Sequence, residues 1–269
     1  MLMRSSLFNL TCRALGRALA HFLTRPNPKF VPFATIDPIR LRAAINPCDV
    51  LLVEGNTRFS TAIKFLTQST WSHAAFYVGE CPEAGWRIGD EPLLIEADVV
   101  HGVISVPLSK YNTFHTRICR ATSLSADDKR SAISYATSRM GHKYDLKNVF
   151  DLARYLFPTP PIPIHWRRRA LNFGSGDPTR AICSTLIAQI FQSIRYPILP
   201  NVTKQQRAGT TPQTCNTCID EVWRIRHHSL FAPRDFDLSP YFAVIKASVD
   251  VGFDHRNINW ALFDDSRAN

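Results

Sequence analysis

Several absences narrow the class of this 269-residue chain before any motif is read. No uninterrupted apolar stretch approaches the ~20 residues that a membrane-spanning helix needs. The seven cysteines are odd in number and irregularly spaced, which argues against a secreted disulfide framework and for a reducing compartment. No internal repeat is present, and no nucleic-acid-binding motif accompanies the basic runs. Acid is nearly missing from residues 1–45, where Arg4, Arg13, Arg17, Arg25, Lys29, Arg40 and Arg42 face Asp37 alone. That segment carries +6 of the chain's net charge of +10, so the basicity belongs mainly to an appendage. With 45% hydrophobic and 11% aromatic residues, the remainder can bury a core, and global disorder is excluded.

The basic segment has helical periodicity. Leu7, Phe8, Leu10, Leu15, Ala18, Leu19, Phe22 and Leu23 recur with Arg4, Arg13, Arg17 and His21 between them. A secretory leader is not expected, because Arg13 and Arg17 interrupt the apolar run and no small-residue cleavage site follows. Two readings fit: a helix packed on the domain with a solvated basic face, or an interfacial helix that draws residues 1–25 to an anionic membrane surface. The expected location is cytoplasmic, with a peripheral position on the inner membrane face under the second reading. Pro26, Pro28, Pro32 and Pro38 mark a linker, so the expected organisation is 1–45 as helix and linker and 46–269 as one domain with an insertion at about 158–180.

Strands are predicted at 49–53, around His73, and at 93–97, 102–106 and 117–121, with a helix at 59–66 between the first two. The strands have no helix-length crossovers between them after His73, which points to antiparallel pairing. Ser125-Ala126-Asp127-Asp128 reads as a helix start, with the helix running through Met140 to Gly141. A further helix is expected at about 146–157, then a proline-rich loop and Trp166-Arg167-Arg168-Arg169. An apolar-periodic helix begins near Cys183, and a late strand covers 241–246. Sheet first, helices second is an α+β plan.

Three side chains stand out against these settings. Cys183 occupies the first turn of its helix, where the positive end of the dipole favours a thiolate. His73 and Glu96 are ionisable groups in strand-like runs that otherwise have no use for them. Nucleophile, base and orienting acid are the parts of covalent acyl-transfer chemistry. His101 competes with His73 as base, Asp98 shares a strand face with Glu96 and competes with it, and Ser184 competes with Cys183. Cys215 and Cys218, with His227 and His228, make a weak zinc pattern that lacks a second spaced pair. Arg167-Arg168-Arg169 fits a solvated face, an anionic-substrate contact or, last, a nucleic-acid contact.

The runs 49–53, 72–79 and 94–97, with Gly141-His142-Lys143-Tyr144-Asp145 and 182–187, resemble in order the circularly permuted NlpC/P60 group, the YiiX/YebB-like permuted papain-fold amidases. The resemblance covers about residues 47 to 195. It implies an antiparallel sheet or barrel followed by helices, with the nucleophile at the start of a late helix. It also implies Cys183 as nucleophile, His73 as base, Glu96 as the third member and Tyr144 near the site. Ser72 and Ser184, adjacent to His73 and Cys183, complete the expected substrate-binding set. The expected activity is hydrolysis of a peptide-like or lipid-linked amide through a thioacyl-enzyme. The alternatives are a membrane-surface acyl hydrolase or acyltransferase, and an idle binding module that keeps the fold. No cofactor or metal is expected, and nucleic acid is not an expected partner.

Overall fold

The structure, a computed structural model, describes residues 25–28, 30–32, 34–98, 101–142, 182–206, 219–247 and 256. The expected N-terminal helix, apart from Arg25, lies outside the described residues, as do the 146–157 helix, the proline-rich loop, Arg167-Arg168-Arg169, Tyr144, Cys215 and Cys218. Among the described residues, no helix is long and apolar enough to cross a membrane.

Helix α1 spans Pro38–Ala44, inside the stretch expected as linker. Asp37 starts it by accepting hydrogen bonds from the backbone N–H groups of Ile39 and Arg40, and Pro38 fits because a first-turn residue needs no donor. Its Leu41 is fully buried under the sheet, so the covering of the domain begins earlier than the prolines suggest.

Strand β1 (Val50–Val53), helix α2 (Arg58–Thr67), and strands β2 (His73–Gly79), β3 (Leu93–Asp98), β4 (Gly102–Pro107) and β5 (Thr116–Ala121) follow, close to their predicted spans. Helix α3 (Ala126–Ser138) opens on a capping box, in which Ser125 and Asp128 satisfy each other's backbone N–H. Helix α4 is Ile182–Ser193, the hairpin β6–β7 is Asn201–Gln206 with Ile219–Arg224, helix α5 is Arg234–Leu238, and β8 is Phe242–Ile245. Six strands form one antiparallel sheet in the order β4-β3-β2-β1-β5-β8, and β6–β7 stands apart.

Sheet alternation divides the core in two. One face carries Val50, Leu52, Ala74, Phe76 and Ile95 against Leu186, Ile187, Ile190 and Phe191 of α4. Those four helix positions recur at helical spacing and are all fully buried, each contributing roughly 1.5–3 kcal/mol of apolar burial. The other face carries Leu51, Val53, Ala75, Tyr77 and Leu94 with Leu41 and Tyr111. A strap at 226–231 is tied to α4 near both of its ends: Gln192 donates to the Arg226 carbonyl, and Ser184 donates to the Phe231 carbonyl.

Candidate active site

Strand register positions the histidine. Val53 pairs with both His73 and Thr116, which places His73 at the first residue of β2 and at one end of the sheet. By alternation His73 shares a face with Ala75 and Tyr77, and Glu96 of β3 shares that face with Leu94. The two meet there, His73 Nε2 lying 3.1 Å from Glu96 Oε2. The side chain of His73 is 22% exposed and that of Glu96 is 2% exposed, so the imidazole closes the carboxylate off from water.

Glu96 is held on every side. Its Oε2 also accepts from the hydroxyl of Tyr111, and its Oε1 accepts from the ammonium of Lys110. Burial raises the carboxyl pKa, but the charges and hydrogen bonds of His73 and Lys110 outweigh it and hold the group at about 2. Glu96 is therefore a permanent anion near neutral pH. Tyr111 is moved the other way, well above the ordinary phenol value, first by burial and then by the adjacent Glu96 charge.

Cys183 completes the cluster from the second residue of α4. Its side chain interacts electrostatically with His73. With Nε2 at Glu96, Nδ1 is the nitrogen left for the sulfur. Burial lowers the His73 pKa, but Cys183 first and Glu96 second oppose it, and the group is pushed up to about 10. The imidazole thus sits between the Glu96 carboxylate and the Cys183 side chain as a cation. Cys183 is 5% exposed and packs on Ile63, with half-buried Phe59 and Leu66 beside them on the same face of α2. Among the described residues the thiol therefore lies against apolar surface.

Cys48, Cys81 and Cys119 are also free and buried. Burial pushes Cys48 and Cys119 up to about 12, which keeps both as neutral thiols.

The remaining sequence candidates fall elsewhere. Ser72 is 2% exposed, and its hydroxyl accepts from the Gly55 N–H at 2.9 Å. Gly55 is required by this close approach, since a Cβ there would lie 2.2 Å from Ser60 Oγ. Ser184 is fully buried and bonded to the Phe231 carbonyl. These bonds tie both hydroxyls into the framework beside the cluster. His101 and Asp98 pair with each other at 2.8 Å, the histidine side chain 71% exposed. Among the described residues, no group of three His, Cys, Asp or Glu side chains is placed to hold a metal ion.

Lys110 and Tyr111 were not reachable from the sequence. They lie in a single 3-10 turn, Leu108–Tyr111, that follows β4 and folds back over β3. A lysine and a tyrosine in such a turn read as ordinary surface residues, and no periodicity distinguishes them.

Residues 44–156 match the model of a family described as permuted papain-like amidase enzyme, YaeF/YiiX, C92 family. The matched segment carries His73 and Glu96 and stops before Cys183. The order of the elements, sheet strands with histidine and acid ahead of the thiol helix, agrees with the order that the resemblance implies, and the match supports a fold of the cysteine-hydrolase type. Among solved structures, the crystal structure of metalloprotein yiiX from Escherichia coli O157:H7 aligns with a TM-score of 0.45 at 16% identity, covering 76% of this chain and 97% of that chain. No curated protein matches the chain.

Proposed function

We propose that the protein is a cysteine amide hydrolase in which Cys183 attacks the carbonyl, His73 moves the proton and Glu96 orients and charges the imidazole. The observation that carries this reading is His73 bridging a thiol and a buried carboxylate. Attack by the sulfur forms the carbon–sulfur bond. The imidazolium proton then passes to the leaving amine as the carbon–nitrogen bond breaks. Water, deprotonated by the now neutral imidazole, hydrolyses the thioacyl-enzyme and regenerates the thiolate and imidazolium. Backbone N–H groups in the first turn of α4 would receive the oxyanion.

The apolar surface of Phe59, Ile63 and Leu66 beside the sulfur supports an apolar acyl group on the substrate, peptide-like or lipid-linked. The same surface favours, as second reading, a thiol acyl hydrolase or acyltransferase working on lipid esters at a membrane reached through residues 1–25. Incubation with N-acyl and O-acyl substrates of matched chain length tests both. Covalent acyl-Cys183 detected by mass spectrometry, lost in Cys183→Ala, is the expected result. Turnover that persists in Cys183→Ala would overturn the assignment. Co-sedimentation with anionic vesicles, with and without residues 1–25, tests the membrane role. Equal sedimentation of the two forms would remove it.

A further inference from the structure

We infer that the cavity at the C-terminal end of α4, remote from the thiol, binds a single-chain carboxylate amphiphile. The cavity has a volume of about 190 Å³. At ~30 Å³ per water-sized group, that is room for roughly six such groups, enough for the end of one alkyl chain. Its wall is apolar, made by Pro197, Ile198, Leu199, Pro200, Ile225 and Phe231. Ile225 is 71% exposed at its mouth, an apolar side chain with nothing among the described residues to cover it.

The rim is cationic. Arg195, Arg224 and Arg226 all line the cavity, and among the described residues no carboxylate does. Arg226 is already engaged, donating to the Leu230 carbonyl and lying over the Phe231 ring at 5.0 Å. The exposed side chains of Arg195 and Arg224 are unpaired among the described residues. Three guanidinium groups outweigh the roughly half-unit negative charge of the helix end. They also offer forked donors that match a carboxylate. Apolar wall and cationic rim together select a ligand that is anionic at one end and apolar at the other. A neutral or cationic amphiphile of the same length would fill the wall but gain nothing at the rim.

The position separates this cavity from the proposed chemistry. α4 has 12 residues, so at ~1.5 Å per residue its two ends lie about 18 Å apart. The site therefore does not depend on the hydrolase reading. Calorimetric titration of sodium decanoate into the full-length protein, with Cys183 carbamidomethylated to block the thiol, tests it. Saturable binding to one site is expected, weakened about ten-fold or more in Arg195→Ala/Arg224→Ala and for decanol or decyltrimethylammonium in place of decanoate. Both arginines are exposed, so the double variant is expected to fold, and circular dichroism checks this. Absence of saturable binding, equal affinity for decanol, or unchanged affinity in the double variant would overturn the inference. Decanoate binding that disappears on Cys183 alkylation would also overturn it, while leaving the hydrolase assignment standing. Hydrolysis that persists after Cys183 alkylation, with decanoate binding intact, would do the reverse.

Discussion

Two histidine–glutamate pairs sit at this sheet, and that of His73 also meets a thiol. His73 Nε2 lies 3.1 Å from Glu96, and His115 Nδ1 lies 3.2 Å from Glu54. Distance does not separate them; surroundings do. Glu96 is 2% exposed and accepts from Tyr111 and Lys110 as well as His73. Glu54 is 12% exposed and shares its charge with Lys64 at 3.2 Å, while the His115 ring leans on Trp71 at 5.0 Å. The first pair is a buried carboxylate whose charge is directed through an imidazole to a sulfur. The second lines a cleft whose charges are spent locally, as where Arg117 Nη1 donates to both carboxylate oxygens of Asp237 at 2.8 and 2.9 Å while the guanidinium stacks on Trp71. A histidine beside a glutamate is thus a common element, and its chemistry depends on what the second ring nitrogen faces.

The largest test of that contrast removes each histidine in turn. His73→Ala is expected to lower amide turnover about 10²–10⁴-fold, whereas His115→Ala leaves it within about three-fold. Equal losses, read as kcat/KM on one N-acyl substrate, would erase the distinction between the pairs. Glu96→Gln comes next, because an amide cannot balance the imidazolium. A loss of about 10²-fold is expected, with the His73 proton released at lower pH in an imidazole NMR titration. Glu54→Gln should leave the His73 titration where it is.

The pH dependence of stability sharpens the same comparison. His73 is raised from 6.5 to about 10, so its contribution is fully present below pH 6.5 and is lost as pH rises through 10. Glu96 is lowered from 4.5 to about 2, so its contribution is present above pH 4.5 and is lost as pH falls through 2. Denaturant midpoints across pH should therefore fall on both flanks. The alkaline flank should flatten in His73→Gln and the acid flank in Glu96→Gln. A profile that the two variants leave unchanged would contradict the coupling. The smallest effect is expected from Tyr111→Phe, which keeps the ring and removes one donor from a charged acceptor. It should cost about 1.5–3 kcal/mol in urea unfolding while leaving amide turnover within about ten-fold of the parent protein.

Strands β1 to β5 are legible in the sequence because each is a short apolar run cut off by a turn or a polar stretch. The single histidine in β2 and the Glu96 position in β3 stand out for the same reason. The convergence of His73, Glu96 and Cys183 depends on register, which no single run contains. It required the order of the runs as well. The β6–β7 hairpin was invisible because Asn201–Gln206 holds one apolar residue, Val202, and so shows no alternation. Helix α1 was hidden by Pro38, which reads as a breaker until Asp37 is seen capping ahead of it. Tyr144, implied by resemblance, lies outside the described residues, and the tyrosine that does bond within the cluster, Tyr111, reaches it through tertiary folding of a turn.

A rod gripped at one point is free to spin, and α4 is gripped at two. Ser184 and Gln192, about 12 Å apart along the axis, each anchor to the same short strap. Slippage by one residue would swing the sulfur roughly 100° around the axis and away from the imidazole. The double anchorage forbids that motion whatever the chain ahead of Cys183 does, so the aim of the thiol is set from behind it.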